Sequence, residues 1–153
     1  MASLKLLALD EQDLEVISAH MQDAILRVKD MAWEPGSHRF VAVFNRFDWP
    51  TAHGLDAGEA VVKAAKKPYK RCRCAVRFDC VEAVSLKKIR FDRPEAVLEL
   101  LAIRFEAGEA PSGTVELIFA GNHSIRLRVE CIEAELSDLS PCWGAHSQPE
   151  HEG

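Results

Sequence analysis

The fold of this 153-residue chain is decided by one stretch, TVELIFAGNHSIRLRVECIEAEL, which runs from Thr114 to Leu136. On both sides of Gly121-Asn122, apolar side chains alternate with polar or small ones. A period of two with one apolar face is typical of a half-buried antiparallel strand. The Gly-Asn pair supplies the positive φ angles that a tight turn requires. The stretch therefore predicts a β-hairpin.

The second half of this hairpin resembles an earlier part of the chain. LRVECIEAEL (residues 127–136) matches VRFDCVEAVS (residues 76–85), and SLKKIRFD (residues 85–92) matches SLKLLALD (residues 3–10). The first match contains four identical pairs: Arg77/Arg128, Cys80/Cys131, Glu82/Glu133 and Ala83/Ala134. Because the matches are colinear, we interpret the chain as a tandem duplication of residues 3–84 and 85–138. The alternative is a chance match between strands of similar patterning.

Each repeat is predicted to have the order β-α-β-β-β, with the helix reduced in the second copy. Outside the hairpin, strands are predicted at Leu4–Leu9, Leu26–Trp33, Arg39–Trp49, Arg71–Phe78, Leu86–Phe91 and Leu98–Glu106. Asp10 suits the N-cap of the first helix, and Asp92 opens a turn or two of helix in the second copy. Residues 131–139 suit a helix or a strand, and the internal match favours a strand. The expected fold is α+β, with a mostly antiparallel sheet (sandwich or barrel-like) and pseudo-twofold symmetry.

The chain is predicted to form a single domain over residues 1–144, in which both repeats share one core. Residues 50–70 have no counterpart in the second half and are rich in Ala, Gly and Lys, so we expect a mobile insertion. Residues 145–153 are polar, and we expect a disordered tail.

The composition is that of an ordinary globular protein, with 48% apolar and 28% charged residues. A net charge of −5 argues against nucleic acid as the main partner, although a local basic patch can override it. No apolar run approaches the length of a membrane span, and no secretory signal precedes the first strand, which predicts a cytoplasmic protein without a membrane partner. Five cysteines, an odd number, suit reduced thiols.

Catalytic signatures are absent from the sequence. It contains no glycine loop for phosphate, no serine nucleophile elbow and no H-E-x-x-H pair. Cys72 and Cys74 lie on the apolar side of a predicted strand, so core packing is favoured over a metal or redox role. We therefore predict no catalytic residue, no metal ligand and no cofactor, while an acid/base site assembled from distant residues stays open.

Two surface features are candidates for binding. Arg46, Asp48 and Trp49 could form an interface hot spot for a protein partner, because Arg and large aromatic residues often do. The alternative is core packing of Phe47 and Trp49 beside an Arg46–Asp48 surface pair. The second feature is a basic run that could bind phosphates or an acidic partner, or simply be a solvated loop. Its residues are Lys63, Lys66, Lys67, Lys70, Arg71 and Arg73.

Four stretches carry a resemblance to a known family: LKLLALDEQDLEVISAHMQDA, FNRFDW, PEAVLELLAIRFE and VECIEAELSDL. The chain resembles an uncharacterised family of small alphaproteobacterial proteins catalogued only as a domain of unknown function. The resemblance implies a bacterial cytoplasmic protein and brings no catalytic or binding residue with it.

From the sequence we expect a non-enzymatic binding or adaptor module that holds a protein partner on an exposed sheet face or a pseudo-symmetric groove. Two alternatives remain open. One is phosphate or nucleic-acid binding through the basic insertion, and the other is an enzyme with a cryptic cleft site.

Overall fold

The computed structural model describes residues 4–48 and 71–139 of the chain. In these residues the helix α1 spans Glu11–His20, and a short 3-10 turn covers Pro35–Ser37. The strands are β1 (Lys5–Ala8), β2 (Ile25–Glu34), β3 (Arg39–Phe47), β4 (Arg71–Phe78), β5 (Val81–Lys87), β6 (Val97–Ala107), β7 (Gly113–Phe119), β8 (His123–Val129) and β9 (Ala134–Asp138). The predicted α+β class with a mostly antiparallel sheet is confirmed.

The nine strands form one open sheet in the order β1-β9-β4-β3-β2-β6-β7-β8-β5. Every neighbouring pair is antiparallel. The two edges, β1 and β5, do not pair with each other, so the sheet does not close into a hydrogen-bonded barrel. The last strand, β9, is inserted between β1 and β4, which brings both ends of the described chain together.

The hairpin predicted on both sides of Gly121-Asn122 is present as β7 and β8. Gly121 and Asn122 both have positive φ, at 83° and 65°, as the turn chemistry predicts. Val115, Leu117 and Phe119 are buried on the inner face of β7. Residues 131–139, which the sequence left between helix and strand, contain β9, and the preference for a strand is confirmed.

The helix α1 begins where the Asp10 carboxylate accepts a hydrogen bond of 2.8 Å from the Asp13 backbone N–H. Leu14 and Ile17 form its buried stripe, and the Ser18 hydroxyl accepts a 2.9 Å hydrogen bond from the Ile103 backbone N–H of β6. The helix packs against both β1 and β6. Since four strands separate β1 from β6 in the sheet, the sheet must curl around the helix. In the described segments, no helix has the length and apolar character needed to cross a membrane.

Within the described residues, both halves of the chain contribute to one core. The largest fully buried side chains come from α1, from strands on either side of the β2–β6 pair and from the hairpin. They include Phe40, Phe44, Phe78, Phe119, Leu14, Ile17, Met21, Leu26, Leu100, Leu117, Ile125 and Leu127.

The start of the second half differs from the prediction. The predicted strand at Leu86–Phe91 is replaced by the end of β5, and Lys88 takes a left-handed φ of 60° that ends the strand. Turns replace the short helix predicted at Asp92. The reason is that the Pro94 and Ala96 carbonyls accept hydrogen bonds from Lys29 and Val28 on β2, which commits this backbone to the sheet.

Two predicted segments cannot be compared with the structure. The insertion at residues 50–70 and the tail at residues 145–153 lie outside the described residues.

Candidate functional site

The sheet places two members of the basic run, Arg71 and Arg73, beside residues that neighbour Arg46 in the sequence, while Arg46 itself lies on the other side of the sheet. Strands β3 and β4 pair so that Phe47 lies opposite Arg71, and Asn45 lies opposite Arg73. These four residues share the outer side of the sheet, and we call them the Arg–Phe face. In the sequence, Arg71 and Arg73 belong to the predicted basic run, whereas Asn45 and Phe47 belong to neither candidate set. The other predicted members, Trp49, Lys63, Lys66, Lys67 and Lys70, lie outside the described residues.

Arg46 lies on the opposite, inner side of β3, together with Phe40 and Phe44. Its guanidinium group donates two hydrogen bonds to Asp138 on β9, from Nε at 3.0 Å and from Nη2 at 2.9 Å. Only 3% of the Arg46 side chain and 2% of the Asp138 side chain are exposed. The pair is a buried bidentate ion pair, which is the strongest geometry that arginine and a carboxylate adopt.

The surroundings complete the hydrogen bonding of this ion pair. Asp138 Oδ2 also accepts a 2.9 Å hydrogen bond from the Leu4 backbone N–H, and Arg46 Nη1 donates to the Phe47 carbonyl at 3.1 Å. Asp48, 45% exposed, is 3.9 Å from Arg46 Nη1 and is a secondary partner. The pair therefore joins β3, β9 and the start of β1. Direct contact between Arg46 and a partner stays a prediction, and it would require this pair to open.

The Arg–Phe face itself is cationic and aromatic. The Arg71 guanidinium carbon lies 4.9 Å from the centre of the Phe47 ring, a cation–π arrangement. Arg73 is exposed and donates a 3.4 Å hydrogen bond to the Asn45 side-chain oxygen. No atom of the described residues forms a hydrogen bond with the buried Nε of Arg71. Among residues 4–48 and 71–139, no carboxylate forms an ion pair with Arg71 or Arg73.

A second cluster was not found from the sequence. The connection from β4 to β5 and the connection from β8 to β9 run side by side. The Glu130 backbone N–H donates to the Cys80 carbonyl at 3.0 Å, and the Asp79 N–H donates to the Glu133 carbonyl at 2.8 Å. This pairing brings together the side chains of Cys80, Cys131 and Glu133, whose Sγ and carboxylate oxygen atoms lie within 4.8 Å of one another. We call these three residues the thiol cluster.

The groups packed around Cys80 shift the pKa of its thiol. Burial, together with hydrogen bonding to and charge on the adjacent Cys131 and Glu133 side chains, raises the pKa of Cys80 to about 12. A signal for this cluster was present in the sequence, because the internal match aligns Cys80 with Cys131. That match says nothing about whether the two residues touch.

The other cysteines have different surroundings. Cys74 is fully buried, and burial raises its pKa to about 12, which agrees with the predicted packing role. Cys72 is also fully buried, but it is disulfide-bonded, so the expectation of reduced thiols throughout is wrong at this residue.

One groove lies between α1 and β6. It has a volume of about 220 Å³ and is lined by Glu11, Leu14, Glu15, Ile103, Arg104 and Phe105. None of these is a serine, cysteine or histidine, and the ionisable side chains of the groove are Glu11, Glu15 and Arg104. The thiol cluster and the Arg–Phe face lie on other elements.

Residues 4–151 match the model of a protein family described as a protein of unknown function, DUF2948. The chain belongs to the DUF2948 family. No curated protein and no solved structure matches it. The matched residues include both the Arg–Phe face and the thiol cluster of this chain. The family description assigns neither of them a role.

Proposed function

We propose that this DUF2948 protein is a non-enzymatic protein-binding module that holds an acidic segment of a partner on the Arg–Phe face. The observation that carries the proposal is the pair of guanidinium groups, Arg71 and Arg73, which no carboxylate of the described chain neutralises. Arg71 is already ordered by Phe47, so less side-chain entropy is lost when a partner binds.

The chemistry of the face favours a short run of carboxylates. Guanidinium groups bind carboxylates in a bidentate fork, and an aromatic ring beside them adds apolar contact. Four lysines precede Arg71 in the sequence within eight residues and add to the local positive charge. The overall net charge of −5 disfavours a long polyanion, which would meet repulsion beyond the patch. A short acidic segment, which stays within the positively charged patch, meets less of this repulsion than a long polyanion does.

The test compares two charge reversals in exposed arginines. Arg73→Glu is expected to weaken binding of a glutamate-rich peptide of about ten residues by tenfold or more, about 1.4 kcal/mol. Arg128→Glu on β8, whose side chain is 68% exposed, is the matched control and should bind like the original protein. Binding is measured by NMR titration, and the shifted signals should centre on β3 and β4. Equal weakening by both variants, or no binding at all, would contradict the proposal.

Capture from a lysate of the native organism then identifies the partner. A nuclease-resistant protein retained by the original chain and by Arg128→Glu, but lost with Arg73→Glu, supports the module. A protein retained equally by all three chains argues against the Arg–Phe face.

A second candidate function is phosphate or nucleic-acid binding through Lys63, Lys66, Lys67, Lys70, Arg71 and Arg73. It is supported by the position of Arg71 and Arg73 at the start of β4, directly after the basic run. This function predicts an affinity for a single-stranded oligonucleotide that falls steeply with salt concentration. Capture abolished by nuclease would favour it over the protein-binding module. An enzyme with a cryptic cleft is the third hypothesis, and no observation favours it.

We also propose that the scaffold arose by duplication of residues 3–84 and 85–138. The strand order supports this, because proposed equivalents follow one another outward from the β2–β6 pair: β3 and β7 flank the pair, then β4 and β8, then β9 and β5, while β1 has no counterpart among the described strands. An experimental structure tests the symmetry. Rotation by a half turn about the β2–β6 pair should superpose Arg77 on Arg128 and Cys80 on Cys131. A superposition in a different register would contradict the duplication.

A further inference from the structure

We propose that Cys80, Cys131 and Glu133 form a binding site for one thiophilic divalent cation of the zinc class. Thiolate sulfur and carboxylate oxygen are both established zinc ligands, and three protein ligands leave the fourth tetrahedral position for water or another molecule. The site goes beyond the protein-binding role, because it lies on the connections between strands and shares no residue with the Arg–Phe face.

The spacing of the ligand atoms fits a tetrahedral ion. Bond lengths of about 2.3 Å to sulfur and 2.0 Å to oxygen place a sulfur roughly 3.5 Å from an oxygen and two sulfurs roughly 3.8 Å apart. Cys80 Sγ is 3.5 Å from Glu133 Oε1, and all three ligand atoms lie within 4.8 Å of one another. Closure around an ion therefore needs only small side-chain movements.

The backbone holds the ligands in place before any ion binds. The hydrogen bonds between the two connections fix Cys80 against Glu130 and Asp79 against Glu133. A further hydrogen bond, 2.9 Å from the Val81 N–H to the His38 carbonyl, anchors the residue after Cys80. Because hydrogen bonds fix both connections, the ligand atoms can keep a constant arrangement. Tight metal binding requires such a fixed arrangement.

Cys80 adds a second, independent observation. Its φ of 60° lies in the left-handed region, which glycine adopts readily and most residues with a Cβ disfavour. Glycine would remove this strain, yet the chain has a thiol here. Strained backbone of this kind concentrates at functional sites.

The charges around the cluster also fit a cation. Binding of the ion displaces the thiol protons, and the two thiolates and one carboxylate then carry three negative charges, of which a dication offsets two. The carboxylate of Asp79, the residue before Cys80, is already bound by Arg39 at 3.0 Å and by Arg77 at 2.9 Å. Within residues 4–48 and 71–139, no lysine or arginine forms an ion pair with Glu133. Both cysteines are partly exposed, so an ion can enter from solvent.

The experiment uses the full chain, reduced and free of metal, with Co²⁺ as the probe. One equivalent of Co²⁺ should produce a thiolate-to-metal charge-transfer absorption in the near ultraviolet, and one equivalent of Zn²⁺ should remove it. Cys80→Ser and Cys131→Ser should each abolish the absorption, and Glu133→Gln should weaken Zn²⁺ binding by about 100-fold or more. Glu130→Gln, an acidic neighbour outside the thiol cluster, is the matched control and should bind as tightly as the original protein.

The results that overturn the site are equally specific. Co²⁺ bound without the charge-transfer absorption would place the ion on histidine or carboxylate groups elsewhere. An absorption that survives both serine substitutions would place it on other thiols. A reduced protein that forms a Cys80–Cys131 disulfide in air and takes up no metal under argon would show a redox pair instead.

A glycine substitution separates a metal role from a structural one. Cys80→Gly relieves the left-handed strain, so the metal-free variant should melt at a higher temperature than the metal-free original chain. The same variant should lose the Co²⁺ absorption and the increase in melting temperature that Zn²⁺ gives the original chain. A variant that is destabilised without metal would mean that the Cys80 side chain serves packing, and would contradict the proposal.

Discussion

At the scale of single residues, the Arg46–Asp138 pair is the feature whose stability contribution is easiest to test. Both charges are almost fully withdrawn from water, so each depends on the other. Buried pairs of this kind need not add net stability over an apolar pair, but removal of one partner is costly because the other charge is left uncompensated.

Asp138→Ala is expected to lower the free energy of unfolding by about 3–5 kcal/mol. The loss has two parts: the Arg46 guanidinium is left buried without a counter-charge, and the Leu4 N–H loses its acceptor. Urea denaturation followed by circular dichroism measures it.

Asp48→Asn is the matched control, since the Asp48 carboxylate is exposed and 3.9 Å from the same arginine. Exposed pairs contribute about 0–1 kcal/mol, so this change should have little effect. Equal effects of the two substitutions would mean that the buried pair is no more important than a surface contact.

The burial of Arg46 was partly visible in the sequence. Phe40, Ala42 and Phe44 share one side of β3, and the same alternation places Arg46 on that side. An arginine that continues an apolar face needs a buried carboxylate. The partner could not be identified, because Asp138 lies 92 residues further along the chain and no local pattern connects the two.

At the scale of elements, the close approach of β6 to the start of β7 depends on a glycine. A Cβ at Gly113 would lie against the Phe105 ring and the Glu106 carbonyl oxygen, too near for either to remain in place. Gly113 pairs with Ala107 on one side and with Val129 on the other, so a shift there disturbs two strand pairs.

Gly113→Ala should therefore destabilise the protein by roughly 1–3 kcal/mol, as overpacking in a core does. Gly36→Ala is the matched control, because a Cβ at Gly36 meets nothing within 4 Å. Thermal unfolding of the two variants side by side gives the comparison. A melting temperature for Gly113→Ala as high as that of Gly36→Ala would show that Phe105 moves aside at no cost.

Local patterns predicted the elements well where the strand is half-buried. Arg71–Phe78 is β4 with the predicted bounds, and the Gly121-Asn122 turn joins β7 to β8 as expected. The prediction was wrong after Lys87, because the backbone of residues 94–96 forms hydrogen bonds with β2 and not within a helix. Alternation describes one strand and its faces, but a hydrogen bond to a distant strand leaves no local trace.

At the scale of the whole molecule, the two halves exchange strands. β5 follows β4 in the chain but pairs with β8, and β9 follows β8 but pairs with β4. Each half therefore supplies a strand that completes the sheet of the other. The sequence indicated a shared core, whereas this exchange depends on long-range pairing that no spacing within the sequence reveals.

Fragments comprising residues 1–87, which keeps β5 whole, and 88–153 are each expected to be unfolded when expressed alone. Each loses the strand that its partner supplies, and each loses part of the core on the other side of the β2–β6 pair. NMR spectra of the separate fragments should show poor dispersion, whereas the intact chain should unfold in one cooperative transition. A well-dispersed spectrum from either fragment would show that the exchanged strand is dispensable.

The position of β9 between β1 and β4 also affects how the chain folds during synthesis. β4 leaves the ribosome with one edge unpaired, and the strand that covers this edge follows roughly 55 residues later. At about 5–20 residues per second, that edge is exposed for some 3–11 seconds. β1 is synthesised before β4 and also pairs with β9, so its edge stays unpaired for longer. Native pairing of β1 and β4 must therefore wait until β9 has been synthesised, and a nascent chain of this protein is an expected client of chaperones that shield unpaired strands.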